Sequence, residues 1–208
     1  MGSSPARRAI PYHRRHCVLR PASVIFAGLL VAGCASTRVE TTGQKPLQPL
    51  CDASARALVV WGPHWRADQK DVGDRVAAAD RGVSDFFNSG ACFGAVEIRR
   101  LAGNNAAVIP SASELAALAL VHGPSPDVVV AITVLELGPV VRLLGSPALV
   151  EGGTEVVLEV RAVNVASLRP LGDFRIHWQQ GGAWVLKGVG SLAQDMTAAL
   201  DAAMTHPR

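Results

Sequence analysis

Apolar residues fall along this 208-residue chain in two rhythms, and the change between them sets the expected architecture. Ala57-Leu58-Val59-Val60-Trp61 is unbroken apolar sequence, the pattern of a strand buried on both faces, and Gly62-Pro63 stops it. Asp68 is a suitable N-cap for a helix running to about residue 88. Within it Val72, Val76, Ala79, Val83 and Phe86 recur at steps of three and four and share one face. Asp74, Arg75, Arg81 and Asp85 take the other side, and Gly90 is a fitting terminator. Residues 93 to about 101 read as a second strand, ending in Arg99-Arg100 and a Gly103-Asn104-Asn105 loop. Ser111-x-x-Glu114 is a capping box that opens a second helix, which Gly123-Pro124 closes. Residues 127 to about 137 are rich in Val and Ile and predict a central strand, with Gly138-Pro139 as its end or a bulge.

Further on the period becomes two. Val156, Leu158, Val160 and Ala162 alternate with Glu155, Val157, Glu159 and Arg161, a strand with one wetter face. Another strand follows over residues 173 to 180. Gly181-Gly182 reads as a hairpin turn into Trp184-Val185-Leu186. Ser191-x-x-Gln194 is a further capping box, and Leu192, Met196, Leu200 and Ala203 mark the buried face of a last helix. A short His206-Pro207-Arg208 tail follows. The order is β-α-β-α-β-β-β-α. The expected fold class is α/β, a single mixed sheet with helices packed on it; the βαβ units bring right-handed crossovers and the later strands add antiparallel pairing.

The start of the chain follows neither rhythm. Arg7, Arg8, Arg14, Arg15 and Arg20 precede an apolar run from Val24 to Val31, and Ala32-Gly33 precedes Cys34. Leu29-Leu30-Val31-Ala32-Gly33-Cys34 resembles a bacterial lipobox, in which the cysteine is lipidated and becomes the new N-terminus. A plain cleaved secretory signal and a retained anchor are the competing readings. The anchor fits poorly, since a span needs about 20 apolar residues. The chain is therefore expected to comprise a lipoprotein signal peptide (1–33), a polar tether (34–56) rich in Ser, Thr, Gln and Pro, and a periplasmic α/β domain (57–208). Ala35 after Cys34, where Asp is absent, resembles the sorting pattern of outer-membrane lipoproteins.

Cleavage changes the charge. The whole chain is +3, but the leader holds five of the 20 Lys and Arg and none of the 17 Asp and Glu, so fifteen against seventeen leaves −2. The basic balance belongs to the export signal, and no basic stripe interleaved with aromatics remains to suggest nucleic acid. Of four cysteines, Cys17 leaves with the leader and Cys34 takes the lipid. Cys51 and Cys92 remain, a natural disulfide in an oxidising periplasm, with two buried thiols as the alternative. Such a bond closes a loop of about 40 residues and contributes about 4 kcal/mol in the chain-entropy model.

Candidate chemistry is sparse. The densest group of functional residue types is Trp61-Gly62-Pro63-His64-Trp65-Arg66-Ala67-Asp68-Gln69-Lys70, beyond the carboxyl end of a central strand, where ligands of open α/β sheets gather. Trp61, His64, Trp65, Arg66 and Lys70 are the candidate partner-binding residues, because Trp and Arg anchor interfaces. The plainer reading is that the Trp rings roof the sheet while the charges solvate a helix start. Lys187-Gly188-Val189-Gly190-Ser191 resembles a piece of a phosphate loop but lacks the full motif, and reads better as a flexible entry to the last helix. His64, His122, His177 and His206 show no metal-ligand spacing. Glu97, Glu136 and Glu159 lie in strand patterns and fit a wet sheet face better than acid–base work, and no nucleophile elbow is present. No catalytic residue, metal or cofactor is expected.

An apolar strand ending Leu58-Val59-Val60-Trp61, an amphipathic helix, Val96-Glu97-Ile98-Arg99-Arg100, a valine-rich strand after Pro126-Asp127, antiparallel strands and a final helix follow one another. That order is similar to the periplasmic lipoprotein modules of the penicillin-binding-protein activator and curli-secretion type, and to the amino-terminal domain of the Tol-system translocation protein. The resemblance covers roughly residues 57–204 and transfers no site residues. It implies a non-enzymatic protein, held to the membrane by its N-terminal lipid on the periplasmic face of the outer membrane, that binds or regulates another envelope protein. The alternative expectation is a module binding a small ligand, lipid or glycan at the same end of the sheet.

Overall fold

A computed structural model describes residues 35–101, 110–120, 125–143 and 150–206, all within one compact unit, 33–208. The leader, Cys34, the Gly103-Asn104-Asn105 loop, His122, the Gly123-Pro124 stop and Pro207-Arg208 lie outside the described residues.

The elements are β1 Ser36–Gln44, β2 Asp52–Pro63, α1 Val72–Asn88, β3 Phe93–Arg100, α2 Ala112–Leu120, β4 Val128–Leu143, β5 Val150–Asn164, β6 Pro170–Ala183 and α3 Leu192–Met204. The six described strands form a single mixed sheet in the order β1-β6-β5-β4-β2-β3. β2 runs parallel to both β3 and β4, and the remaining pairs are antiparallel. The single mixed α/β sheet with packed helices is thus as the hydrophobic pattern predicts.

Burial follows the two rhythms. On one face Ala57, Val59 and Trp61 of β2, Val130 and Ile132 of β4 and Leu158 and Val160 of β5 meet α1 and α3. On the other, Leu58 and Val60 pack with Val129, Ala131 and Leu115 of α2. β2 is therefore buried on both sides, as its unbroken apolar run requires. On the side away from α1 and α3, β5 and β6 present Glu155, Glu159, Arg161, Asp173 and Arg175, partly or fully exposed. This open face is the wet side of the alternating strand.

Five local expectations are corrected. The described part of the expected polar tether is structured: Ser36–Gln44 is an edge strand paired with β6 from Ser36↔Gly181 to Gln44↔Asp173, and β2 already begins at Asp52. An edge strand is held by backbone hydrogen bonds and needs no apolar run; the signal is its β-branched content, Thr37, Val39, Thr41 and Thr42. Gly181-Gly182 is no hairpin turn. Both lie inside β6 opposite Gly153 and Gly152, and residues 184–186 are not a strand. A Cβ on Gly153 would lie 2.2 Å from the Gln180 carbonyl oxygen, so these glycines serve close strand approach.

α1 starts at Val72 rather than after Asp68, with Asp71 as N-cap at φ 53° and no side-chain cap bond. Its buried face holds Arg75, Ala78, Ala79, Gly82, Val83, Phe86 and Phe87, while Val72 is exposed. Contact with α3 explains the rotation, since Gly82 fits against Met196 and its carbonyl accepts from Thr197 Oγ1. Finally, Ser111 and Glu114 form the expected capping box, with Ser111 N–H donating to Glu114 (2.7 Å) and Glu114 N–H to Ser111 Oγ (3.3 Å). The one expected at Ser191 is absent, because the Ser191 hydroxyl donates to Asp195 at 3.0 Å instead.

Candidate functional site

The groove beside Trp65 is built by one bulge and one buried arginine. At the end of β2, His64 N–H still donates to the Val134 carbonyl (2.8 Å), and then the chain leaves the sheet. The register of β4 against β5 slips between Val134 and Glu136, so Leu135 is the extra residue and Glu136 is re-aimed relative to simple alternation. Gly138-Pro139 neither ends the strand nor makes the bulge; β4 runs on to Leu143. A Cβ at Gly138 would lie 1.9 Å from Arg75 Nη1, so glycine there leaves room for the arginine where α1 places it.

Arg75, expected on the solvent side of its helix, is the clamp. Its Nε donates to the Lys70 carbonyl (2.8 Å) and its Nη1 to Glu136 Oε1 (2.9 Å) and the Leu137 carbonyl (2.5 Å). Glu136 also receives Gln69 Nε2 at 3.1 Å and Arg66 Nη2 at 3.2 Å. Three donors thus converge on one largely buried carboxylate, fixing the 64–71 loop against the bulge.

The resulting groove has a volume of about 400 Å³. His64, Trp65 and Arg66 form one wall and Leu135 and Glu136 the floor; Glu155, Val157 and Arg175 close the far side. Trp65 is half-buried and packs on the core, yet its indole Nε1 is buried without a hydrogen-bond partner. The Gln69 Oε1 is likewise unpartnered. Beyond the groove the open face carries cross-strand ion pairs, Glu159 with Arg175 (2.5 Å) and Asp173 with Arg161 (2.8 Å), and His177 Nε2 lies 2.5 Å from Glu155.

The five candidate residues therefore part company. His64, Trp65 and Arg66 line the groove, and Lys70 is exposed but contributes only its carbonyl to the Arg75 clamp. Trp61 is a correction. It is 1% exposed and faces α1 because it shares parity with Ala57 and Val59; the Arg100 guanidinium lies 5.8 Å from its ring centroid. Sequence reasoning missed Arg75, Leu135, Glu155, Val157 and Arg175. The only available signal was Glu136 interrupting an apolar strand.

Elsewhere, Cys51 and Cys92 are joined (S–S 2.11 Å, Cα–Cα 4.4 Å), tying the start of β2 to the start of β3. Lys187, from the stretch resembling a phosphate loop, is committed to Asp195 (2.6 Å) and Gln180. Glu97 pairs with Arg99 at 2.5 Å. The shifted titrations lie away from the groove. Ser54, through its hydroxyl and N–H, holds the Asp52 carboxyl below its ordinary value; Ser111 does the same for Glu114, and burial lowers Lys45. Among the described residues no cluster of three or more His, Cys, Asp or Glu is placed to hold a metal, and no helix is long and apolar enough to cross a membrane.

No family model and no curated protein matches the chain. Among solved structures it is similar to the PelC dodecamer of Paraburkholderia phytofirmans, at 15% identity over 82% of this chain and 100% of that one, TM-score 0.43. It is also similar to lipoprotein GNA1162 of Neisseria meningitidis (16% identity, 70% and 96% covered, TM-score 0.36). A third is protein XCC0632 of Xanthomonas campestris (14% identity, 77% and 85% covered, TM-score 0.37).

Proposed function

We propose that this chain is a non-enzymatic envelope protein, lipid-anchored through Cys34 on the periplasmic face of the outer membrane, that binds another envelope protein at the Trp65 groove. The observation that carries the binding role is the groove itself: a half-buried Trp flanked by Arg66, Glu155 and Arg175. An aromatic anchor ringed by polar groups is the make-up of an interface centre. The Cys51–Cys92 bond supports an oxidising compartment, and the arginine-rich leader ending at Cys34 supports export and lipidation. Membership in the activator, curli-secretion or Tol group belongs to the same proposal and rests on element order.

A second reading has its own support. A concavity of about 400 Å³ lies within the range of small-ligand sites, and Trp beside carboxylates and arginines suits a glycan. Crosslinking in whole cells, followed by identification of the adduct, tests both. A protein adduct present in wild type and depleted in Trp65→Ala supports the first reading. An adduct unchanged in Trp65→Ala rejects the groove, and a Trp65-dependent adduct that is glycan would favour the second. Radiolabelled palmitate should enter wild type and not Cys34→Ala; equal labelling would sink the anchor.

A further inference from the structure

The start of β1 fixes which end of the sheet an anchor at Cys34 would hold. Ser36 pairs with Gly181, Gly181 with Gly153, and Gly153 with Val140, a row crossing β1, β6, β5 and β4. Two residues further out lie Ala183, Glu151 and Arg142, and Trp184 N–H donates to the Val150 carbonyl (2.8 Å). Only Ala35 separates Cys34 from Ser36. Two residues of extended chain reach about 7 Å. A tether of some twenty residues would leave orientation free, whereas this connection does not.

That same end carries three of the exposed apolar side chains among the described residues. Trp184 is 62% exposed, Leu186 78% and Val141 59%. Trp184 is held at φ 64°, a left-handed conformation that a bulky side chain seldom adopts. The turn presenting it is pinned by Gly152, where a Cβ would lie 2.1 Å from the Val185 carbonyl oxygen. Arg38, paired with Glu40 at 2.6 Å, lines a concavity at this end together with Arg142 and Glu151, on the sheet face opposite Val141. An exposed Trp beside exposed aliphatic side chains matches the belt where proteins meet the lipid headgroup region.

We infer that this end of the sheet, centred on Trp184, lies on the bilayer surface, with Trp184, Leu186 and Val141 entering the interface beside the lipidated Cys34. The inference rests on the lipid-anchor reading and adds an orientation to it. From Arg142 to Glu136 is six strand residues, so the Trp65 groove stands about 20 Å from the lipid, open to the periplasm.

The test uses the lipidated protein, purified from membranes and reconstituted into phosphatidylethanolamine–phosphatidylglycerol vesicles with or without brominated acyl chains. Bromine quenches indole emission at short range, and palmitate labelling of the same preparation reports the anchor. Quenching in wild type and in Trp65→Phe, lost in Trp184→Phe and reduced in Leu186→Glu, supports the inference. Labelled protein that is not quenched, or is quenched equally in Trp184→Phe, overturns the bilayer as occupant and leaves the anchor standing. Absence of label overturns the anchor and this orientation with it.

Discussion

Trp61 and Trp184 both belong to short apolar runs that read as strands in the sequence, Ala57-Leu58-Val59-Val60-Trp61 and Trp184-Val185-Leu186; one is 1% exposed and the other 62%. Trp61 extends the parity of Ala57 and Val59 and meets α1. Trp184 follows the last residue of β6, where the backbone turns to φ 64° and directs the chain off the sheet. Residue type alone does not separate a core aromatic from a surface one. What separates them is whether the residue still belongs to the ladder, which depends on strand pairing far away in sequence. The loop rich in functional residue types turned out to be half structural, and the segment that looked like a plain strand carries the exposed aromatic.

Paired substitutions give the sharpest test of that contrast. Trp61→Ala should destabilise by about 4 kcal/mol, the cost of emptying a packed core site, while Trp184→Ala should stay within about 0.5 kcal/mol of wild type. Urea denaturation midpoints measure both, and a larger loss at Trp184 would reverse the comparison.

The arginines provide the next step. Arg75→Ala removes the clamp from a carboxylate whose side chain is only 16% exposed, and should cost about 3 kcal/mol. Arg142→Ala, at an exposed position with no ion pair among the described residues, should cost almost nothing. Equal effects of the two on the denaturation midpoint would show that Glu136 does not depend on Arg75.

How far these differences were legible follows from the range of the interactions. The strand and helix order, the double burial of β2, the Ser111 capping box and the Cys51–Cys92 pair were readable, because each rests on local pattern or on few partners. The three groove residues His64, Trp65 and Arg66 were readable as a cluster. Arg75 was not, since its helical position reads as solvent-facing and its partner Glu136 lies 61 residues away beside a bulge that leaves no local mark. Ser36–Gln44 was missed because edge pairing places no apolar demand on a strand. The Gly152-Gly153 and Gly181-Gly182 pairs show the same limit: a glycine pair signals a turn locally, and only their mutual register reveals close strand approach.

Within the 184–189 segment the contrast sharpens further, because it also contains a structural residue. Lys187→Met leaves Asp195, whose side chain is 5% exposed, without its cation, and should destabilise by about 2 kcal/mol. Gly188→Ala meets no atom within 4 Å and should be tolerated. If instead Lys187→Met were neutral while Gly188→Ala were costly, the stretch would be serving as a loop rather than as the brace of α3.

Trp65 is expected to show a small stability effect and the clearest functional one. Its ring packs on the core, but its Nε1 is buried without a partner, so the folded state carries the cost of an unsatisfied donor. Phenylalanine keeps an aromatic ring in place and removes that donor. Lost packing and the relieved donor should offset, leaving Trp65→Phe within about 1 kcal/mol of wild type. Crosslinked adduct in whole cells should nevertheless fall, because phenylalanine presents a smaller ring to the groove that Trp65 lines. A loss of stability well beyond that range, with the adduct unchanged, would mean that Trp65 is as structural as Trp61 and that binding lies elsewhere on the open face.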